Sequence, residues 1–170
     1  MKPQARSKKL AQGSEFINGK QSDMSAGTML VGWREWVRLP GLTEAPIEAK
    51  MDTGARSSAL LVQDLRTEMR EQKLWVLFKL SSRIDEAIQV MHAHPVFARR
   101  RIRSSNGHTE MRLFIRTGLR LGKRNWLIDL SLTTSRGDMK HVMLIGREAM
   151  GRRLMVHPCR KHLQGKPGDG

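Results

Sequence analysis

The sequence predicts a mainly β fold, a small antiparallel barrel with one short C-terminal helix. Three observations carry that expectation. Short apolar runs recur with a period of two, as at Ile47, Ala49 and Met51, which places alternate side chains on one face of an extended segment. Turn signals separate the runs, among them Pro40-Gly41, Asn106-Gly107 and Gly122-Lys123-Arg124-Asn125. A single convincing helical segment, Glu148 to Arg153, stands against many short strands.

The elements follow in order. Residues 1–28 are polar, rich in Lys, Ser, Gly and Gln, without periodicity or the continuous apolar core of a secretory signal, and are expected to be a disordered extension. Met29 to Leu39 reads as one strand, with Leu30, Trp33, Val37 and Leu39 as apolar contacts. Pro46 precedes the strand that ends at Asp52, and Ala59 to Val62 resume an apolar run. Asp64 to Lys73 is charged and fits a helical turn or a surface loop, while Leu74 to Leu80 is a compact strand. In Ser81 to His94, Ile84, Ala87, Ile88 and Met91 repeat with helical spacing, yet the His-Ala-His-Pro segment equally suits an ordered loop. Val96 to Arg103 and Thr109 to Thr117 form a basic hairpin about Asn106-Gly107, and Leu119 to Leu121 pairs with Trp126 to Leu132 in a second. His141 to Ile145, the short helix, and Leu154 to Val156 complete a domain spanning 29–164, with 165–170 a frayed tail.

Composition sets the outer bounds. A chain of 170 residues with 39% apolar content buries one modest core, so one domain is expected. The single cysteine, Cys159, excludes an internal disulfide and fits a reducing, cytoplasmic setting. No apolar run approaches the length needed to span a bilayer as a helix. A formal charge of +15 favours anionic partners. Nucleic acid is the less favoured of these, because the basic residues are dispersed and no nucleic-acid module is recognisable. Acidic protein segments suit the charge equally well.

The chemistry concentrates in Lys50-Met51-Asp52-Thr53-Gly54-Ala55-Arg56-Ser57-Ser58-Ala59. A carboxylate at a strand end, followed by a hydroxyl and a residue that permits a sharp turn, is one oriented by its own loop. An ordinary hairpin turn, or an ion pair of Asp52 with Lys50 or Arg56, accounts for the same residues without catalysis. Late in the chain, Leu144-Ile145-Gly146-Arg147 opens the short helix. Together these two stretches resemble the single-lobe, retropepsin-like (acid protease) β-barrels. With Gly32-Trp33-Arg34-Glu35-Trp36-Val37 and Arg103-Ser104-Ser105-Asn106-Gly107 added, the chain from about Val31 to Leu163 is similar to one bacterial family. Its members are labelled ATP-dependent zinc proteases and are encoded beside ATP-grasp ligases that add glutamates to a ribosomal protein.

That resemblance implies a retropepsin-like aspartic endopeptidase acting on acidic or glutamylated tails, with a glutamate ligase as a further partner. Asp52 is then the catalytic residue. Thr53, Gly54 and Ala55 shape its loop, and Gly146 and Arg147 brace it. Arg56, Ser57, Arg103, Ser104, Ser105 and Asn106 are candidates for holding substrate. Such hydrolysis needs two carboxylates of opposite protonation, and one Asp-Thr-Gly per chain supplies only one, so a homodimer is implied. Departures are also visible: no glycine-rich flap lies between Asp52 and Gly146, and the interval between them implies an insertion within Asp64 to Gly107.

The zinc and ATP of the family label find little in the residues. His92-Ala93-His94 and His157-Pro158-Cys159 could each turn two donors the same way, with His141 and His162 as further donors, but no helical His-Glu-x-x-His or Cys-x-x-Cys is present. No phosphate-cradling Gly-Lys loop occurs either, so no cofactor and no metal is expected. The reading from a different class is a non-catalytic basic module of the same fold that binds an acidic tail, a glutamate ligase or RNA.

Overall fold

Alternation along the strands decides which side chains go inward. In β2 (Arg34–Leu39) residues 35, 37 and 39 are buried, and in β3 (Thr43–Met51) residues 47, 49 and 51 are. The computed structural model describes residues 27–81, 83, 84, 90–103, 107–134 and 140–166. The other strands are β1 (Met29–Gly32), β4 (Ser58–Arg70), β5 (Lys73–Leu80), β6 (Met91–Pro95), β7 (Ala98–Arg103), β8 (Thr109–Leu121), β9 (Arg124–Thr133), β10 (Met143–Ile145) and β11 (Leu154–His157), with α1 at Arg147–Met150.

Six of these strands close into a ring. β10 pairs with β3, β3 with β2, β2 with β8, β8 with β9, β9 with β4, and β4 returns to β10. Closure leaves no free edge in the ring and encloses a core that includes Val37, Ile47, Met51, Leu60, Ile115, Leu130 and Ile145. β5 and β6 extend the sheet beyond β4, and β7 folds back on β8. The ring is mixed rather than wholly antiparallel, because β10 runs parallel to β3 and β9 parallel to β4. β1 and β11 form a separate parallel pair.

Several expectations about elements are corrected. Met29 to Leu39 is two strands, broken at Trp33, whose N–H leaves the ladder to donate to the Arg160 carbonyl. Asp64 to Lys73 is neither helix nor loop: β4 runs through to Arg70 and turns into β5 at Glu71-Gln72, both at positive φ. That turn uses residues without the usual Asn-Gly signature. Asp64 itself has φ 52 where the β4–β5 register shifts, and Lys79 stands 2.6 Å from its carboxylate and lowers its pKa. Met91 lies in a strand, not on a helix, while Ala87 and Ile88 fall outside the described residues. The second hairpin turns on Gly122-Lys123 alone. Among the described residues no helix is long and apolar enough to cross a membrane.

One buried residue is not apolar. Glu35 has no solvent exposure, and its carboxylate accepts backbone N–H donors from Gly32 at 2.6 Å, Leu163 at 2.8 Å and Gln164 at 3.2 Å. A carboxylate engaged by three amide donors tolerates burial, and here it fastens the C-terminal segment to β1 and β2. The same segment crosses Gly32 so closely that a Cβ there would stand 2.5 Å from the Arg160 carbonyl oxygen.

His92 and His94 lie on β6 beside the Phe78 ring, at 5.6 and 6.2 Å between centroids. Burial lowers both pKa values, that of His94 to about 4, with His92 adding to the shift. Both rings are therefore neutral in the folded protein near neutral pH. Between pH 6.5 and about 4 the unfolded chain takes up a proton that folded His94 refuses. Stability is thus full above pH 6.5 and falls as pH drops, by up to about 1.4 kcal/mol per pH unit for this group. Thermal melting followed from pH 7 to 4.5 should show the loss, and His94→Gln should flatten it.

Candidate active site

Asp52 follows β3 directly, and the loop after it is held from two sides. From within, the Ala55 N–H donates to the Asp52 carbonyl at 3.2 Å, and the Gly54 N–H donates to Asp52 Oδ1 at 3.1 Å. This second bond fixes the carboxylate with an amide dipole, and a Cβ on Gly54 would sit 3.3 Å from the same oxygen. From outside, the Asp52 N–H donates to the Ile145 carbonyl at 2.9 Å, which carries the β3–β10 pairing one residue past the strand. The carboxylate that results is about a quarter exposed and oriented by its own loop.

The late segment completes the frame. Gly146 passes so close to the loop that a Cβ would lie 2.5 Å from the Ser57 carbonyl carbon and oxygen. Its N–H donates to Ser58 Oγ at 3.1 Å, and Ser131 Oγ donates to the Ser58 carbonyl at 2.7 Å, so two buried serines tie β4, β9 and β10 together. The Arg147 N–H donates to the Ala55 carbonyl at 2.9 Å and the Glu148 N–H to the Arg56 carbonyl at 3.0 Å. The Arg147 guanidinium reaches the Thr53 carbonyl at 2.9 Å and the Gly54 carbonyl at 3.0 Å. Gly146 and Arg147 thus brace the loop, Arg147 through carbonyl oxygens rather than an acidic partner.

Around the loop the charges form a chain. Lys50 Nζ stands 3.5 Å from Asp52 Oδ2, the ion pair weighed against catalysis, while Arg56 turns away to Glu148 at 2.8 Å. Glu148 also meets Arg100 of β7 at 3.7 Å, and Arg100 and Arg116 hold Asp129 at 3.0 and 2.9 Å. The β7–β8 hairpin is in this way anchored beside the loop. Ser57 is partly buried against Gly146, and Arg103 is exposed at the end of β7. Ser104, Ser105 and Asn106 lie outside the described residues.

The zinc donors do not assemble. Among the described residues no group of three or more His, Cys, Asp or Glu could hold a metal ion. His92 and His94 pack on Phe78, His157 Nδ1 accepts from the Cys159 N–H at 3.2 Å, and His162 Nε2 is 2.7 Å from Glu48. These residues do not fit the zinc of the family label. Sequence reasoning passed over Ser58, Ser131 and Glu148. Ser58 stands just before the apolar run that begins at Ala59, and its role comes from contacts with Gly146 and Ser131 that no local signal marks.

Comparison with known proteins decides the family. Residues 30–167 match the model of the RimB-like family, described as the retropepsin-like aspartic endopeptidase RimB. The chain belongs to that family. A probable alpha-L-glutamate ligase of Shewanella pealeana is 35% identical over 147 residues, covering 86% of this chain and 32% of that protein. One of Parasynechococcus marenigrum is 37% identical over 138 residues, covering 81% of this chain and 29% of its own length. The chain therefore spans about a third of the curated relatives it matches. A crystal structure of a Legionella pneumophila protein of unknown function superposes with a TM-score of 0.65 at 19% identity, covering 79% of this chain and 97% of that one. At that identity the likeness speaks for the fold alone. The retropepsin-like barrel of the RimB-like family, with its short C-terminal helix, is the fold expected from the motifs.

Proposed function

We propose that the chain is an aspartic endopeptidase that cuts acidic or glutamylated peptide tails as a homodimer, with Asp52 of each copy forming the catalytic pair. The observation that carries this reading is the Asp52 carboxylate, oriented by the Gly54 N–H and left open in a loop braced by Gly146 and Arg147. Two such carboxylates side by side share one proton, because both cannot ionise at close range. The ionised one draws a proton from water, and the protonated one polarises the peptide carbonyl. Water oxygen bonds to the carbonyl carbon, a proton passes to the amide nitrogen, and the C–N bond breaks. Thr53, exposed next to Asp52, is the residue proposed to bond across the dimer axis. Arg56, Ser57, Arg103, Ser104, Ser105 and Asn106 remain the residues proposed to hold the peptide. The acidic substrate class draws support from the charge of +15 and from relatives named as glutamate ligases, which join a segment like this one to further sequence.

Peptides ending in α-linked glutamates, digested and read by mass spectrometry, test the reading. Asp52→Asn is expected to lower turnover by about 10²–10⁴-fold with an unchanged circular dichroism spectrum. The contact of Lys50 with Asp52 favours a second reading, the non-catalytic module of the same fold. Peptide binding without turnover in both proteins would select it.

A further inference from the structure

A cleft of about 330 Å³ opens on the outer face of β2 and β3, lined by Arg34, Trp36, Glu48, Arg83, Lys140 and His141 among others. Strand register links it to the loop. Arg34 is paired with Lys50 and Trp36 with Glu48, so these four side chains share one face of neighbouring strands, and Lys50 also touches Asp52. The cleft is thus one cross-strand pair away from the candidate catalytic carboxylate.

Its charges are unbalanced. Glu48, the carboxylate in the lining, is engaged on both oxygens, by Arg34 at 3.2 Å and by His162 at 2.7 Å. Arg34 is seated over the Trp33 ring at 4.4 Å, and its Nε is buried without a hydrogen-bond partner. Arg83 spends one N–H on the Lys140 carbonyl at 2.8 Å, while neither Arg83 nor Lys140 forms an ion pair among the described residues. The positive field is felt by His141, whose pKa is lowered by burial and then by Arg34 and Lys50. Among the described residues, Arg34, Arg83 and Lys140 stand against one saturated carboxylate, in a recess large enough for one or two side chains, which calls for an anionic guest.

We propose that this cleft is the subsite that receives a glutamate side chain of an acidic peptide next to the bond aligned with Asp52, with Arg34, Arg83 and Lys140 supplying the complementary charge. This placement rests on the peptidase reading of Asp52. An extended peptide offers alternate side chains to one side, so a run of glutamates seats one carboxylate in the cleft whatever its register in steps of two. Specificity for acidic tails then resides in β2, β3, Arg83 and Lys140.

Binding of a fluorescent hexa-α-glutamate, measured by anisotropy in the Asp52→Asn protein so that it is not consumed, tests this. Adding Arg83→Gln and Lys140→Gln is expected to weaken binding by about tenfold or more, as loss of two charge-assisted contacts should. The same loss of charge at Arg120→Gln and Lys123→Gln, on a different hairpin, should change it by no more than about twofold in moderate salt. Equal weakening by both pairs, no weakening by the first, no binding, or equally tight binding of a uridine hexanucleotide would each overturn the assignment. Cleavage by the parent protein is scored separately: absence of cleavage with cleft-dependent binding removes the peptidase reading and leaves the acidic-peptide site, whereas cleavage with cleft-independent binding does the reverse.

Discussion

Gly146→Ala is expected to destabilise the protein by about 3 kcal/mol or more, the upper end of what a forced steric insertion costs. Backbone conformation is not the reason, since Gly146 has φ −88° and ψ 172°, which alanine adopts freely. Space is the reason: the added carbon would lie 2.5 Å from the Ser57 carbonyl and 2.8 Å from the Arg56 carbonyl oxygen, both backbone atoms that cannot swing aside. Relief requires the Asp52 loop and the β10–α1 junction to part, which would strain the Gly146 N–H bond to Ser58 and the Arg147 bonds to Thr53 and Gly54. A melting temperature lower by roughly 6–12 °C should accompany the change. Gly118→Ala is the control, because its Cβ would meet nothing closer than 3.5 Å and melting should barely move. Equal melting of the two variants would refute the close-crossing account.

Glu35→Ala should cost about 3–5 kcal/mol, because three backbone N–H groups lose their acceptor at a site closed to water. Here the damage has a direction. Gly32 remains within β1, but Leu163 and Gln164 belong to the crossing C-terminal segment, whose other ties include the Arg160 carbonyl to Trp33, the His162 N–H to the Arg34 carbonyl, His162 Nε2 to Glu48, and Gln164 Nε2 to the Leu30 carbonyl. Hydrogen exchange should therefore show the amides of residues 162–164 losing protection before those of the barrel. Glu35→Gln keeps an acceptor oxygen and should fall between parent and alanine variant. Unchanged protection in Glu35→Ala would show that the carboxylate does not hold the segment.

Much of this architecture was legible because it rests on local pattern. The alternation at residues 47, 49 and 51, the turn at Gly122-Lys123, and the apolar-apolar-Gly run before Arg147 each carry their structural meaning within a few residues. What escaped depends on pairing across the fold. The extension of β4 through charged residues is stabilised by its partner β5, and no periodic apolar signal marks Leu65 to Arg70. Glu35 reads as a surface glutamate until the C-terminal segment supplies its donors, more than 120 positions away. Ser58 and Ser131 likewise acquire their roles only when β4, β9 and β10 meet. The loop itself was visible in the sequence, whereas the basic cleft beside it was not, because Arg34, Arg83 and Lys140 come from three separate segments.

The ring has a consequence for timing. β10 is three residues long, yet it closes the circle by bridging β3 and β4, and Arg147 grips a loop 94 positions upstream. A chain emerging from the ribosome carries Asp52 well before it carries that grip. Long-range closures of this kind form late and slowly, so the nascent polypeptide holds an acid without a pose. On the reading offered above, cutting capacity arrives only after β10 and Arg147 have been made and have closed on the Asp52 loop, and then only after two such copies meet, which spares neighbouring proteins from an enzyme still folding.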